Sequence, residues 1–285
     1  MKINILGASG ALGRKIVAEL LNRGLPPQDL VLSVRTPEKV MDYAKEGILV
    51  RRADYDAPAS LESAFRECDR VHLIPSTAAP EPRIQQHANA VEAAEAAGVG
   101  RISFSSLSST RIDSRFLINP FLLYAESKLQ LSSMEWTILR NNLYLDPIAD
   151  WIPGLKRLGF LPYPMKEARI AYVTRDDLAK ATATVLLGSG HNGKTYDLTG
   201  PESVSMPELA AAVSAAAETA IEFRSVSEEE FAAYCGDEPA SILNSLYRAA
   251  EAGEFATVTT HIEELCGTAP EQTEDYLRRM CREAG

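Results

Sequence analysis

The chain has 285 residues, 46% of them hydrophobic and 24% charged, which suits a soluble globular protein with one nucleotide-sized domain and a smaller lobe. A net charge of −10 and a pI near 5.0, with no basic run, exclude a nucleic-acid-binding role, which needs clustered Lys and Arg. No apolar run reaches membrane length, and Cys68, Cys235, Cys266 and Cys281 form no Cys-x-x-Cys pair, so a cytoplasmic protein with free thiols is expected.

Met1–Leu6 reads as a short buried strand rather than a secretion signal. It runs into Gly7-Ala8-Ser9-Gly10-Ala11-Leu12-Gly13, and Ala11–Leu21 fits a helix with a mostly apolar face. A glycine-rich turn between a first strand and a first helix is a phosphate seat. Glycines let the backbone turn sharply and approach a pyrophosphate, and the N–H groups and positive dipole end of the helix face the charge. Gly7, Ser9, Gly10, Ala11, Leu12 and Gly13 are the expected dinucleotide contacts.

Leu30–Val34 is a second strand, and a helix is expected over Pro37–Glu46 with Thr36 as N-cap and proline at its first position. The second strand ends Ser33-Val34-Arg35-Thr36, with no carboxylate to accept the adenosine ribose hydroxyl or repel a 2′-phosphate. Arg35 can pair with that phosphate and stack on adenine, and Thr36 can donate its hydroxyl, so NADP(H) is expected over NAD(H). Ile48–Val50 is a third strand. Asp54 beyond it meets the adenine edge or caps its own turn. A helix over Leu61–Cys68 follows Ser60, and Val71–Ile74 is a fourth strand, in which His72 reads as a packing residue. Ile74, Pro75 and Ser76, at its carboxyl end, are expected to line the cofactor. An Ala-rich helix over about Ile84–Ala97 suits close packing on a sheet, and Arg101–Ser105 is a fifth strand.

Repeated βα units of this size predict an α/β fold with a doubly wound parallel sheet and helices on both faces. Further strands are expected at Trp136–Leu139 and near Ala171–Val173. From Asp146 the rhythm changes. Trp151–Gly154 and Phe160–Pro164 are rich in proline and aromatics, as at the rim of a substrate pocket. Helices at Met206–Ala217, Glu228–Tyr234, Ile242–Glu251 and Glu271–Glu283 predict a small, mainly helical C-terminal lobe. The nucleotide-binding domain is therefore drawn over 1–145, with strands near 170–200 rejoining its sheet. A substrate lobe is drawn over 146–285, mainly 146–168 and 201–285.

Tyr124-x-x-x-Lys128 places two chemically active groups on one helix face. Lys128 can lower the pKa of the Tyr124 phenol and hold the nicotinamide ribose, the phenol can give a proton to a carbonyl, and Ser105 or Ser106 can orient that carbonyl. The alternative is a surface tyrosine with a lysine that touches only the ribose. The four histidines and four cysteines show no metal-ligand spacing.

Three stretches carry a family resemblance: Gly7–Gly13, Pro120–Lys128, and Trp136-Thr137-Ile138-Leu139-Arg140-Asn141-Asn142-Leu143-Tyr144. Together they resemble the NmrA-like branch of the atypical short-chain dehydrogenase/reductase superfamily. Within it the chain is similar to the type-2 NADPH:quinone oxidoreductases and the triphenylmethane reductases, over about residues 1–235. The resemblance implies a Rossmann domain holding NADP(H), with Arg35 reading the adenosine phosphate and a small lobe closing over the nicotinamide. It also implies that Asn141, Asn142 and Tyr144 border the nicotinamide and substrate cleft, with Asn142 toward the cofactor and Asn141 and Tyr144 toward the substrate. The quinone and dye reductases of this branch generally lack the catalytic tyrosine that Tyr124 would supply. Three readings follow. One is an NAD(P)H-dependent oxidoreductase passing hydride to a small flat acceptor such as a quinone. Another is a Tyr124–Lys128 carbonyl reductase or sugar-nucleotide epimerase. The third is a non-catalytic redox sensor with a regulatory protein partner. A monomer or homodimer without membrane or nucleic-acid partners is expected.

Overall fold

A computed structural model describes residues 1–76, 78–234 and 240–284. The chain begins with β1 (Ile3–Leu6), α1 (Ala11–Asn22) and β2 (Leu30–Val34). The segment after β2 is a 3-10 turn, Pro37–Val40, followed by the short α2 (Met41–Lys45), rather than one helix. Then come β3 (Leu49–Arg52), α3 (Pro58–Phe65), β4 (Arg70–Leu73), α4 (Pro82–Ala96), β5 (Arg101–Leu107), α5 (Asn119–Gln130) and β6 (Glu135–Asn141). The third helix starts three residues before its expected position because Pro58 takes the first helical position. Ser60 lies inside it, with its hydroxyl on the Ala57 carbonyl at 2.7 Å.

The second half holds α6 (Asp146–Leu158), β7 (Phe160–Tyr163), β8 (Arg169–Ile170), α7 (Arg175–Leu187), β9 (Lys194–Leu198), β10 (Val204–Ser205), α8 (Met206–Ala217) and β11 (Glu222–Ser225). It closes with α9 (Glu228–Ala232), α10 (Ala240–Glu251), α11 (His261–Cys266) and α12 (Thr273–Ala284). The Trp151–Gly154 stretch lies within α6, which begins at Asp146-Pro147 and ends on the left-handed Gly159; Pro153 is accommodated inside it. One expectation for this half is corrected, that of a strand at Ala171–Val173. No strand forms over Ala171–Val173: β8 stops at Ile170 and pairs with β10, while Val173 makes a single bridge to Tyr144.

One sheet organises the α/β part. Its seven strands run β3-β2-β1-β4-β5-β6-β9, and the pairs from β3 through β5 are parallel. This is the doubly wound Rossmann arrangement, and strand order reverses between β1 and β4. The central strands are largely apolar: Ile3, Ile5, Leu30, Leu32, Val71 and Ile138 are fully buried, as strands covered on both faces require. Ala88, Ala90, Ala93 and Ala94 of α4 are buried, and their small side chains permit close packing.

The chain divides into two compact units. The first comprises Met1–Leu107, Pro120–Arg140 and Leu178–Tyr196; the second comprises Ser108–Asn119, Asn141–Asp177 and Asp197–Gly285. Within the second, the largest helices are amphipathic, and α9 is capped by Ser227 and Glu230 in a reciprocal box. Glu230 of the acidic Glu228-Glu229-Glu230 run serves that cap, and Glu228 pairs with Arg248. Cys68 and Cys281 are free thiols; Cys235 lies outside the described residues. Among the described residues no helix is long and apolar enough to cross a membrane.

The polar centre of the sheet is His72. It is fully buried, with Nδ1 2.8 Å from the Ser103 hydroxyl and Nε2 3.0 Å from the Ser105 hydroxyl. Burial pushes its pKa down to about 3, so the ring is neutral and packs as expected. His87 is likewise pushed down, to about 4, by burial first and Arg83 second. The unfolded chain therefore binds more protons than the folded one between pH 6.5 and about 4. The stabilisation is complete above pH 6.5 and is lost as pH falls, by at most about 1.4 kcal/mol per pH unit for each ring. Urea unfolding of the parent should show this loss between pH 7 and pH 5. His72→Gln should be less stable at pH 7 yet lose less on acidification. An equal acid slope in the two proteins would contradict the assignment.

Candidate active site

The turn after β1 is built for close backbone approach. Gly7 has φ +90°, and its N–H donates to the Ser33 carbonyl of β2 at 3.0 Å. A Cβ on Gly7 would stand 3.1 Å from Cβ of Ile74, the residue just beyond β4. Gly13 is tighter: its Cβ would lie 2.5 Å from the Gly7 carbonyl oxygen and 2.8 Å from Ala8 Cα. Backbone atoms cannot yield as a flexible side chain could, so α1 must begin with glycine at this position. Gly10 is the N-cap, no side chain caps the helix, and its first turn holds no acid. The leading N–H groups are thus left for an outside anion, with the helix dipole behind them. Leu12 is buried and offers its backbone only, whereas Ala11 is exposed.

Arg14 is a residue that sequence reasoning missed. Its Nε donates to the Ser9 carbonyl at 3.2 Å and its Nη2 to the Lys39 carbonyl at 2.7 Å. It ties the glycine turn to the segment after β2, on the ordinary-looking pattern of an exposed helical arginine. Arg35 and Thr36 lie at the carboxyl end of β2 and are exposed. The Thr36 hydroxyl caps nothing, although the residue sits at the N-cap position of the 3-10 turn. Asp54 accepts the Asp56 N–H at 3.1 Å, the turn-capping role anticipated as one alternative. Ile74 and Pro75 follow β4, and the Ser76 hydroxyl donates to Gln86 Oε1 of α4.

Tyr124 and Lys128 lie together on α5, close enough to interact, but Ser106, the third residue read as a proton-transfer set, is not gathered with them. Tyr124 is exposed. Lys128 Nζ makes an ion pair with Glu92 of α4 at 2.7 Å, and that hydrogen bond raises its pKa. Ser106 donates to Glu126 Oε1 at 2.5 Å. Glu126, two positions from Tyr124, points into the protein and is 2% exposed. Two helical positions span about 200°, so Ser106 meets the opposite side of α5 from Tyr124. Arg140 of β6 closes this network with a bidentate pair, Nε to Oε1 at 2.9 Å and Nη2 to Oε2 at 2.6 Å.

In the second unit, Asn141 Nδ2 stands 3.5 Å from the Tyr144 hydroxyl, and Asn141 Oδ1 is buried with no partner. The Asn142 amide is used at both ends, donating to the Phe255 carbonyl at 3.1 Å and accepting the Leu143 N–H at 2.7 Å. The Arg175 guanidinium lies over the Tyr144 ring, 4.7 Å from its centroid, and is anchored by Asp146. Burial raises the Tyr144 pKa despite this cation. His191 and His261 are structural: the first bonds the Tyr196 hydroxyl at 2.9 Å, and the second accepts the Asp197 N–H at 3.0 Å.

A Rossmann sheet with a glycine-rich turn and an uncapped helix start at its switch point defines a dinucleotide-binding α/β protein. The chain belongs to the NAD(P)H-binding family, whose model matches residues 7–188. It is 33% identical over 231 residues to quinone oxidoreductase 2 of Escherichia coli (strain K12), covering 81% of this chain and 80% of that one. Among solved structures it is similar to a nucleoside-diphosphate-sugar epimerase from Staphylococcus aureus (TM-score 0.91, 32% identity, 98% of this chain and 100% of that one). It is also similar to the triphenylmethane reductase of Citrobacter sp. complexed with NADP(H) (TM-score 0.90, 28% identity, 99% and 100%). The resemblance read from the motifs is thereby borne out, to the quinone and dye reductases alike.

Because Glu126 is buried, removing its cation is costly. Arg140→Ala should lower stability by about 3 kcal/mol, the lower end of the range for breaking a buried pair, since Arg140 is partly exposed. Adding Glu126→Gln should recover most of that loss, as no bare carboxylate remains. Urea denaturation of the three variants checks this; a double variant no better than Arg140→Ala would contradict it.

Proposed function

We propose that the chain is an NAD(P)H-dependent oxidoreductase that passes hydride to a small flat acceptor such as a quinone, with NADPH as the preferred donor. The observation that carries the reading is the Gly7–Gly13 turn, where backbone occupies the space of a Gly13 side chain and α1 starts without a cap. Gly7, Ser9, Gly10, Ala11, Leu12 and Gly13 would hold the pyrophosphate, and Ile74, Pro75 and Ser76 would flank the dinucleotide from the end of β4. Arg35 and Thr36, exposed beyond β2, suit the adenosine 2′-phosphate. The bound nicotinamide would supply the hydride. Residues 1–145 would carry the cofactor, and the lobe drawn mainly over 146–168 and 201–285 the acceptor. Asn141 and Tyr144 would orient the acceptor, and Asn142 would keep this segment in register.

Direct transfer is favoured over a tyrosine-dependent reduction or epimerisation by the arrangement around α5. A carbonyl reductase needs its phenol, ammonium and serine hydroxyl to converge. Here Ser106 is committed to Glu126 and Lys128 to Glu92. The acceptor quinone takes up two electrons with the hydride and completes its reduction with a proton from solvent, so no fixed acid is required.

NADPH oxidation against quinones, triphenylmethane dyes and simple aldehydes tests this. Quinone or dye turnover should survive Tyr124→Phe. Arg35→Ala should weaken NADPH binding about tenfold to a hundredfold, the loss of one charge-assisted contact of about 1.5–3 kcal/mol, and leave NADH binding unchanged. Carbonyl turnover abolished by Tyr124→Phe would establish the tyrosine-dependent enzyme instead. Tight NADPH binding without turnover on any acceptor would establish the redox sensor.

A further inference from the structure

Helix α4 reaches back to the ends of two strands. Gln86, on its second turn, is buried, and both ends of its amide are used. Oε1 accepts the Ser76 hydroxyl beyond β4, and Nε2 donates to Asp56 Oδ1 beyond β3 at 2.9 Å. Three residues along the same helix face, Asn89 Nδ2 donates to the Tyr55 carbonyl at 2.9 Å. The Tyr55 hydroxyl in turn donates to the Ile74 carbonyl at 2.7 Å. Two separate bridges, one through Tyr55 and one through Gln86, therefore fix Ile74–Ser76 against Tyr55–Asp56.

What they fix is the floor of the glycine turn. Ile74 Cβ stands 3.1 Å from the place of a Gly7 Cβ, so Ile74 packs directly under the turn and leaves no room for a side chain there. The Gln86 amide also settles the polarity of Ser76. The hydroxyl proton is spent on Oε1, so the Ser76 oxygen faces any ligand as an acceptor. An acceptor at this position suits a ribose hydroxyl and not a phosphate oxygen. Glutamine is the residue type this junction calls for, because it offers a donor to the Asp56 carboxylate and an acceptor to the Ser76 hydroxyl on one planar group.

We propose that Gln86 and Tyr55 are positioning residues for the dinucleotide: they hold Ile74 under the glycine turn and present Ser76 as an acceptor to a ribose hydroxyl. This rests on the cofactor reading given above. The brace acts on parts common to both dinucleotides and touches nothing that reads the 2′-phosphate, which gives it a signature distinct from Arg35.

Titration of the full-length protein with NADPH and with NADH, followed by cofactor fluorescence, tests the proposal. Gln86→Leu should raise both dissociation constants about tenfold, and Tyr55→Phe about fivefold, with the NADPH-to-NADH ratio unchanged within twofold. The KM for NADPH should rise in parallel, while kcat at saturating NADPH falls less than threefold. Ser76→Ala added to Gln86→Leu should weaken binding by less than the product of the single effects, because the two share one bond. Tyr55→Phe keeps the ring and carries the test if Gln86→Leu does not fold. Folded variants with both constants within twofold of the parent would overturn the proposal, as would a loss confined to NADPH. A parent that binds neither dinucleotide would instead refute the cofactor reading, and the proposal with it.

Discussion

The structure depends on one close approach, that of the α1 backbone at Gly13 to the strand-to-helix turn at Gly7 and Ala8. A side chain at Gly13 would overlap two backbone positions at 2.5 and 2.8 Å. The approach lets the helix start immediately above β1 and leaves its first N–H groups uncapped. Around it the fold arranges the rest. Strand order reverses between β1 and β4, so the turn opens into the crevice that such sheets leave at the carboxyl ends of their strands. Arg14 ties the turn to the segment after β2, and Ile74 closes it from the β4 side.

A second constraint shapes the chemistry. Glu126 is a buried carboxylate that only a paired cation and hydrogen bonds can stabilise, and Arg140 and Ser106 supply them. This fixes the rotation of α5 and turns Tyr124 outward. Ser106 is thus held in the Glu126–Arg140 network, and Lys128 pairs with Glu92. Hydride transfer to an electron-poor acceptor needs neither.

Much of this was legible in the sequence because it rests on local signals. The glycines between an apolar strand and an apolar helix face identify the turn, and β2 and α8 lie where their patterns put them. What the sequence left hidden shares a cause: the deciding partner is remote in sequence. Nothing near Ser106 announces Glu126, twenty residues on, or Arg140 beyond it. Ala171–Val173 has the β-branched and aromatic character of a strand but finds only one bridge, while the Ala171 N–H and carbonyl bond Phe255 and Gly200, remote in sequence. The role of Gln86 was invisible for the same reason, since its partners lie ten and thirty residues away.

The most direct test of this account is calorimetric titration of NADPH into the parent protein and into Gly13→Ala, with circular dichroism to verify the fold of each. The account predicts a saturable heat for the parent and none for a folded Gly13→Ala, because the added methyl displaces the backbone that forms the anion seat. A folded Gly13→Ala that binds NADPH as tightly as the parent would contradict it.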